Sequence, residues 1–100
     1  KCKHKIKSGR GGYRQRCREY GVYYDASVTL QKVITRDKNI CQLCGKPCDK
    51  NSLDWGSFGP LYPTIDHITA LSNGGTHTWG NVQLAHAMCN SYKRDLDDLK

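Results

Sequence analysis

The sequence predicts a small α+β protein, in which a ββα unit with a structural zinc knuckle follows an earlier helix. Three observations lead to this prediction. The chain has 100 residues and only 37% are hydrophobic, so its one modest core needs a supplement such as a metal ion. A Cys-x-x-Cys pair at Cys41 and Cys44 is followed far downstream by a His-x-x-Cys pair at His86 and Cys89. Near this second pair, the hydrophobic spacing changes from alternation to helical periodicity.

Each element has its own signal in the sequence. Ser27 is a suitable N-cap for a helix over residues 28–37, and Asn39 can end that helix. Residues 62–68 form a short β-run, residues 71–80 a turn-rich crossing loop, and residues 82–85 a second alternating strand. The order of strand, loop, strand and helix therefore predicts the ββα unit.

Three further predictions concern which side chains are buried. Residues 45–61 contain several glycines and prolines and predict an irregular loop, whose large apolar side chains are expected to fold back onto the core: Trp55, Phe58 and Leu61. The last helix carries apolar side chains at intervals of four, four and three residues, which predict one buried stripe: Met88, Tyr92, Leu96 and Leu99. Trp79 in the crossing loop is also expected in the core.

The positive charge is concentrated at the start of the chain. Residues 1–20 carry eight basic groups and one acidic group, so their sum of +7 equals the net charge of the whole chain. A basic arm on a neutral body gives sequence-independent affinity for phosphate backbones, and nucleic acid is the expected partner, with a solvated tail as the alternative. The predicted organisation is a basic, flexible arm over residues 1–24 and a folded domain over residues 25–100.

The sequence contains no signal for a membrane. No apolar run approaches the roughly 20 residues of a membrane span, and no hydrophobic segment of the signal-peptide type opens the chain. We therefore expect a soluble, intracellular protein. The chain begins with Lys1 rather than Met, so a longer parent protein and a lost targeting segment stay open.

The spacing of cysteine and histidine predicts a Cys3His zinc site. Cys41 and Cys44, with Gly45 behind them, form a knuckle, while His86 and Cys89 project to one side at the start of a helix. Cys48 is either a small buried hydrophobic residue, which we favour, or a competitor of His86 for the fourth position.

Other arrangements of the cysteines are open. Disulfides in a secreted domain fit the two pairs less well than tetrahedral zinc does, so a reducing compartment is expected. Cys2, His4 and Cys17 match no closed site, and they are either the remainder of a truncated zinc ribbon or residues without a metal role.

Four ordered segments carry a resemblance to a known family. Residues 63–68 (PTIDHI), 71–76 (LSNGGT), 81–84 (NVQL) and 89–93 (CNSYK) together resemble the signature of the HNH endonucleases. The resemblance implies the ββα-metal fold, which is treble-clef-like, and metal-dependent hydrolysis of DNA to 5′-phosphate and 3′-hydroxyl ends. The resemblance is nearest to small phage and prophage HNH proteins, some of which assist genome packaging. A phage origin and a packaging or other DNA-processing partner are therefore expectations by analogy.

The resemblance also implies roles for particular residues. His67 would activate water, Asn81 would orient this base and tie down the crossing loop, and Asp66 with Asn90 would bind one catalytic divalent cation. The residue chemistry agrees, because carboxylate and amide oxygens suit Mg²⁺ or Mn²⁺ and a near-neutral imidazole suits proton removal. Arg94 and Lys93 follow on the helix and are candidates to contact a DNA phosphate, with ordinary helix solvation as the alternative.

The sequence departs from the family pattern at three positions. His86 stands where most such knuckles have cysteine, Gly80 stands where an acidic residue is frequent, and Asn90 replaces the final histidine. For His77 in the crossing loop, a surface role or a local hydrogen bond is favoured over direct chemistry. The rival interpretation of the whole chain is a DNA-binding zinc-knuckle module without catalytic activity.

Overall fold

The computed structural model describes residues 3–56 and 58–98, with side chains for residues 12–56 and 58–93. The predicted α+β class with a ββα unit is confirmed, and the two strands form an antiparallel sheet. Among these residues, no helix is long and apolar enough to cross a membrane. The helices are α1 (Lys3–Tyr20), α2 (Leu30–Arg36) and α3 (Ala87–Asp98), and the strands are β1 (Pro63–His67) and β2 (Val82–His86).

The chain divides into two compact units. The α1 unit comprises Lys1–Val28 and His67–Asn81, and the β unit comprises Thr29–Asp66 and Val82–Lys100. The division falls at the end of β1 and at the start of β2. The predicted arm over residues 1–24 includes all of α1, and its boundary with a domain over residues 25–100 stays a prediction.

In the α1 unit, the crossing loop is tied to the segment that follows α1. The N–H of His77 donates to the carbonyl oxygen of Tyr23 at 3.0 Å, and the N–H of Asp25 donates to the carbonyl oxygen of His77 at 2.9 Å. The core of this unit is small and includes one ionisable ring: Cys17, Val28, Leu71 and His77. Gly12 interrupts the helical dihedral angles of α1 with φ 57°, which places a kink just before the packed part of the helix.

The cap of α2 differs from the prediction. Thr29 is the N-cap, and its hydroxyl accepts from the N–H of Lys32 at 3.3 Å. Ser27 instead forms a turn with Asp25, whose Oδ1 accepts from both the N–H and the hydroxyl of Ser27. The helix ends at Arg36, and the predicted stop residue Asn39 has φ 60°, as an αL residue after a helix does.

The core of the β unit is formed by the two strands, α2 and the knuckle. Buried apolar side chains come from each of these elements: Val33, Cys41, Cys48, Ile65, Val82, Leu84 and Ala85. The carboxylate of Asp37 accepts from the N–H of Leu84 at 2.9 Å, and Arg36 donates to the carbonyl oxygen of Val82 at 2.7 Å. Polar groups at the end of α2 therefore fix the helix to β2.

Two burial predictions in the β unit are wrong. Trp55, Phe58 and Leu61 do not fold back onto the core, because each is at least 41% exposed, and the two aromatic rings contact each other edge to face. The stripe on α3 also fails at Met88 and Tyr92, which are 48% and 67% exposed, while Leu96 and Leu99 lie outside the described side chains. The inner face of α3 begins with the buried Ala87 and continues through polar contacts to β1.

Candidate functional site

The knuckle turn brings the first two zinc ligands together. The N–H of Cys41 donates to the carbonyl oxygen of Lys46 at 2.9 Å, and the N–H of Gly45 donates back to the carbonyl oxygen of Cys41 at 2.8 Å. Gly45 has φ 83°, a conformation that glycine adopts without steric cost, so it permits the reversal of the chain. The sulfurs of Cys41 and Cys44 lie within 4.8 Å of each other at this turn.

The four predicted zinc ligands come together in the β unit. One ligand atom from each of Cys41, Cys44, His86 and Cys89 lies within 4.8 Å of the others. His86 is the last residue of β2 and Cys89 lies in the first turn of α3, so the strand-to-helix junction supplies the second pair. Three sulfurs and one imidazole nitrogen are a donor set typical of structural zinc, and this group could hold such an ion.

The tautomer of His86 suits metal binding through Nδ1. Its Nε2 lies 2.8 Å from the carbonyl oxygen of Pro47, and because a carbonyl only accepts, Nε2 carries the proton. The lone pair of the neutral ring is therefore on Nδ1, which lies 3.3 Å from the sulfur of Cys44 and 3.6 Å from that of Cys89. A hydrogen bond that fixes the ring behind a metal ligand is the usual supporting contact at zinc sites.

The thiols of the site influence each other strongly. The pKa of Cys89 is raised to about 12. Burial is the largest cause, and the neighbouring thiols of Cys44 and Cys41 contribute the rest. Burial also acts to raise the pKa of Cys41, but donors from the backbone of His86, Cys44 and Leu43 outweigh it, so the pKa is lowered. One thiolate forms easily and then opposes the next, and a divalent cation among the sulfurs removes that repulsion.

Cys48 does not belong to this group. It is buried, and burial together with the charges of Cys41 and Cys44 raises its pKa to about 11, as expected for a thiol that stays protonated. Cys17 is buried in the α1 unit, and burial raises its pKa against the effect of a hydrogen bond from the backbone of His77. The side chains of Cys2 and His4 lie outside the described residues.

Asp66 lies buried in β1 and is held by two side chains. Its Oδ1 is 3.1 Å from Nζ of Lys93, and its Oδ2 accepts from Nε2 of Gln83 at 2.8 Å. Only 4% of the Asp66 side chain is exposed, so solvent hardly screens the charge of this carboxylate. The ammonium of Lys93 compensates that charge. Lys93 therefore contacts a site residue, while the side chain of Arg94 lies outside the described part of the chain.

Asn90 connects the first turn of α3 to β1. Its Nδ2 donates to the hydroxyl of Thr64 and to the carbonyl oxygen of Ile65, both at 3.1 Å. The amide orientation is thereby fixed, with Oδ1 on the side away from these two acceptors. Asn90 and Lys93 are one helical turn apart, so the same face of α3 carries both contacts to β1.

Asn81 closes the crossing loop of the α1 unit. Its Oδ1 accepts from the N–H of Thr69 at 2.9 Å, while its Nδ2 donates to the carbonyl oxygens of Thr69 at 3.0 Å and Thr76 at 2.8 Å. These three bonds tie Thr69, which precedes the loop, and Thr76, in the middle of the loop, to the side chain of Asn81. Gly75 lies beside them, where a Cβ would be 1.9 Å from the carbonyl oxygen of Thr69 and 2.9 Å from Nδ2 of Asn81.

His67 is hydrogen-bonded to a second histidine. Its Nε2 lies 3.0 Å from Nδ1 of His77, and Nε2 of His77 lies 3.2 Å from the carbonyl oxygen of Val28. The His77 ring is only 1% exposed and is stacked between Tyr13 and Tyr24, with centroids 4.9 and 5.0 Å away. The local hydrogen bond predicted for His77 is present, whereas the surface position offered as an alternative is wrong.

Burial decides the charge state of His77. It lowers the pKa of this imidazole, and the carbonyl oxygen of Val28 and the charge of Asp25 oppose the shift only in part. His77 is therefore a neutral ring at neutral pH. The sequence did not predict the pairing of His67 with His77, because no local spacing places the two rings together. Nor does it place Tyr13, on α1, edge-on to His67 with centroids 5.1 Å apart.

The aromatic side chains near α1 have different surroundings. Tyr24 stacks on His77, while Tyr20 and Tyr23 are 51% and 67% exposed. Trp79, expected in the core, is half-buried, and its indole N–H donates to the hydroxyl of Ser27 at 3.0 Å. This bond uses the hydroxyl that was predicted to cap α2.

Comparison with known proteins agrees with this arrangement of residues. The family model of the HNH endonuclease matches residues 41–96, which is more than half of the chain. The comparison with curated proteins and the comparison with solved structures each found no match. The matched range contains the zinc ligands, both strands and most of α3. The chain therefore belongs to the HNH endonuclease family, whose members are generally nucleases.

Proposed function

We propose that the protein is a metal-dependent endonuclease that hydrolyses the phosphodiester bonds of DNA to 5′-phosphate and 3′-hydroxyl ends. The observation that carries the proposal is the family match over residues 41–96, a range that includes Asp66, His67, Asn81 and Asn90. None of these four side chains belongs to the Cys3His group, so a purely structural zinc module has no need of them.

His67 is the general base in this proposal. An imidazole of near-neutral pKa can take a proton from water, and the resulting hydroxide attacks phosphorus as the bond to the 3′ oxygen breaks. The leaving oxygen receives a proton from solvent, so the products are the two ends named above. Asn81 supports this role indirectly, because its three hydrogen bonds hold the crossing loop in the unit that contains His67.

Asp66 and Asn90 are the proposed ligands of the catalytic cation. A Mg²⁺ or Mn²⁺ ion supplies charge neutralisation at the scissile phosphate when it is bound. The donors fit such an ion, because Asp66 offers a carboxylate that solvent hardly screens and Asn90 offers an oriented amide oxygen. Lys93 now compensates Asp66, so cation binding and the Lys93 ion pair compete for one carboxylate oxygen.

Binding of DNA is assigned to the basic residues. Residues 1–20 carry all of the net charge, and charge neutralisation along a phosphate backbone provides affinity without sequence preference. Lys93, whose ammonium pairs with Asp66, and its neighbour Arg94 are the proposed contacts to a DNA phosphate. A phage or prophage setting with a packaging partner is part of the same proposal, by analogy alone.

The decisive experiment is plasmid cleavage by zinc-loaded protein with Mg²⁺, with Mn²⁺ and with neither ion. We expect His67→Ala to cleave about 10²-fold or more slowly, the usual effect of losing a general base, with zinc content, melting temperature and DNA affinity retained. Asp66→Ala and Asn90→Ala should instead raise the cation concentration that half-maximal cleavage requires. Ser91→Ala, exposed on the same helix, is the matched control and should behave as wild type.

One observation favours a second candidate, a DNA-binding zinc module without catalysis. The ion pair between Asp66 and Lys93 gives the buried carboxylate a structural partner, so Asp66 does not need a divalent ion for compensation. Wild-type protein that binds DNA yet cleaves none with any of the ions would establish this module and end the catalytic assignment. A His67→Ala variant that loses stability together with cleavage would point to a structural histidine.

A further inference from the structure

A chain of hydrogen bonds fixes where the protons lie on two histidines of the α1 unit. The chain runs from the carbonyl oxygen of Val28 to Nε2 of His77 at 3.2 Å, and from Nδ1 of His77 to Nε2 of His67 at 3.0 Å. A carbonyl oxygen can only accept, so the first contact requires a proton on Nε2 of His77. The direction of the whole chain follows from this one fixed end.

The second contact then has one possible direction for a neutral His77. With its proton on Nε2, the ring has its lone pair on Nδ1 and can only accept there. The hydrogen between the two rings therefore belongs to Nε2 of His67. A neutral His67 with its proton on Nε2 has its own lone pair, and hence its basicity, on Nδ1.

The surroundings of His77 hold this arrangement in place. Its ring is sandwiched between Tyr13 and Tyr24 at interplanar angles of 17° and 11°, and it is 1% exposed. The backbone of His77 is bonded on both sides, to Tyr23 and to Asp25. Rotation of the ring would break the bond to Val28 inside a packed stack, so the acceptor nitrogen faces His67 permanently.

We propose that His77 is a positioning residue that holds His67 in the tautomer protonated at Nε2, which makes Nδ1 the nitrogen that accepts the proton from water. The catalytic part of this inference rests on the proposed nuclease function, whereas the tautomer is a property of the protein alone. When Nδ1 of His67 takes the proton, the ring becomes an imidazolium, and its Nε2–H still donates to the lone pair of His77. His77 thus orients the base and stabilises the charge that the base acquires.

The tautomer can be measured without any substrate. Nitrogen-15 NMR of labelled wild-type protein at about pH 8, where imidazoles are neutral, distinguishes the protonated from the unprotonated ring nitrogen. We expect His67 to show a protonated Nε2 and an unprotonated Nδ1, and His77 to show the same pattern. A protonated Nδ1 on His67 would overturn the proposal, whatever the protein does to DNA.

A matched pair of variants tests the acceptor itself. His77→Asn and His77→Phe both lose the bond to Val28, but the asparagine Oδ1 stands near the position of Nδ1 and can still accept from His67. We expect His67 to keep its tautomer in His77→Asn and to become a mixture of tautomers in His77→Phe. Tyr24→Leu loosens the stack while it retains both nitrogens, and it should keep the wild-type tautomer. The same pattern in both His77 variants would refute the role of the acceptor.

Cleavage assays connect the tautomer to catalysis. If wild type cleaves plasmid DNA, His77→Phe should lower kcat by about 10-fold or more with little change in KM, and His77→Asn should restore most of the loss. A loss of equal size in both variants would contradict the positioning role. If wild type cleaves nothing, the proposed function fails, and the NMR result still decides whether His77 sets the tautomer.

Discussion

At the scale of single residues, hydrogen bonds rather than apolar packing fix the side chains of the candidate site. Asn81 uses all of its amide to close the crossing loop, Asn90 uses its nitrogen to hold β1, and Asp66 is held from two sides. Each of these groups is partly or fully buried, so the loss of a partner leaves a polar group without compensation. Small substitutions next to them should therefore have large effects.

Gly75 offers the clearest test of this principle. A Cβ at this position would lie 1.9 Å from the carbonyl oxygen of Thr69, so Gly75→Ala must displace backbone that Asn81 holds. We expect Gly75→Ala to lower the free energy of unfolding by about 1–3 kcal/mol, the usual cost of overpacking. Gly80→Ala in the same loop has open space around its Cβ and is the control. Equal denaturant midpoints for the two variants would contradict the expectation.

His77 should make stability depend on pH. Burial lowers its pKa from the ordinary 6.5, so the unfolded chain takes up a proton at higher pH than the folded chain does. The contribution of neutral His77 is then fully present above pH 6.5 and is lost as the pH falls through its folded pKa. We expect the melting temperature to fall between about pH 7.5 and pH 5.5 more steeply in wild type than in His77→Asn. Release of metal by acid affects both proteins, so parallel curves would contradict this assignment.

At this scale, the sequence predicted the contacts whose residues lie at fixed spacings, and it did not predict the contacts that depend on packing. The predicted zinc ligands have fixed spacings, so their convergence was predictable from short motifs, whereas the roles of Asp66 and His67 stay predictions. The pairing of His67 with His77 and the stack with Tyr13 depend on how α1 packs in its unit, and no local spacing encodes that. For the same reason, the sequence predicted only a phosphate contact for Lys93 and not its ion pair with Asp66.

At the scale of elements, polar contacts at the ends of helices decide where the helices begin and what they contact. Ser27 satisfies the usual preference for an N-cap, but Asp25 and Trp79 engage its hydroxyl, and α2 begins two residues later with Thr29 as its cap. A sequence window contains two good caps here and no means of choosing between them. The strands were predictable to within one residue at each end, because alternation extends over most of their length.

The N-cap of α2 can be tested directly. Thr29→Ala removes the acceptor for the N–H of Lys32 and should destabilise the protein by about 1 kcal/mol. Thr29→Ser retains the hydroxyl and is the matched control, with an expected change of only a few tenths of a kcal/mol. Urea denaturation followed by circular dichroism measures both. A larger loss in Ser27→Ala than in Thr29→Ala would restore Ser27 as the cap.

The failures on α3 and in the insertion loop have a common physical cause. Periodicity identifies an apolar stripe, but it does not show which face of a short helix is turned inward when a metal ligand and polar contacts already fix that helix. Cys89, Asn90 and Lys93 direct α3 toward the knuckle and β1, which leaves Met88 and Tyr92 exposed. A lean core of this kind does not need every large apolar side chain.

At the scale of the whole molecule, zinc and the N-terminal charge are the two features that the sequence indicated most directly. His86→Ala should lose zinc and unfold at a markedly lower temperature, because it removes one of four converging ligands. Cys48→Ala should keep its zinc, since Cys48 lies outside that group. Titration of bound metal with a competing chelator measures both variants, and the reverse result would exchange the roles of His86 and Cys48.

The charge at the start of the chain should set the salt dependence of DNA binding. Deletion of residues 1–20 would remove Tyr13 and the buried Cys17, so neutralisation is the better test. Replacing the first four lysines by Gln lowers the net charge from +7 to +3 and should weaken binding and flatten the salt slope, by about 0.9 per lost phosphate contact. The altered positions are Lys1, Lys3, Lys5 and Lys7.

The control for this experiment has the same net charge. Four exposed lysines of the β unit replaced by Gln also give +3, and we expect a clearly smaller change in slope: Lys32, Lys38, Lys46 and Lys50. Because both variants change four lysines, only position separates them. Identical slopes would mean that net charge alone, and not the N-terminal segment, determines the affinity.

The order of the zinc ligands along the chain has a consequence for the availability of active protein. Cys44 and His86 are 42 positions apart, and every residue of the proposed catalytic set except Asn90 lies between them. An ion held by both pairs therefore closes a ring of chain around Asp66, His67 and Asn81, and it removes much of the conformational freedom of that ring. Metal binding and the folding of the segment between the two pairs would then form one linked equilibrium. A chain still emerging from the ribosome cannot close the ring until Cys89 has been synthesised, so a metal ion can hold the enclosed segment only after that point.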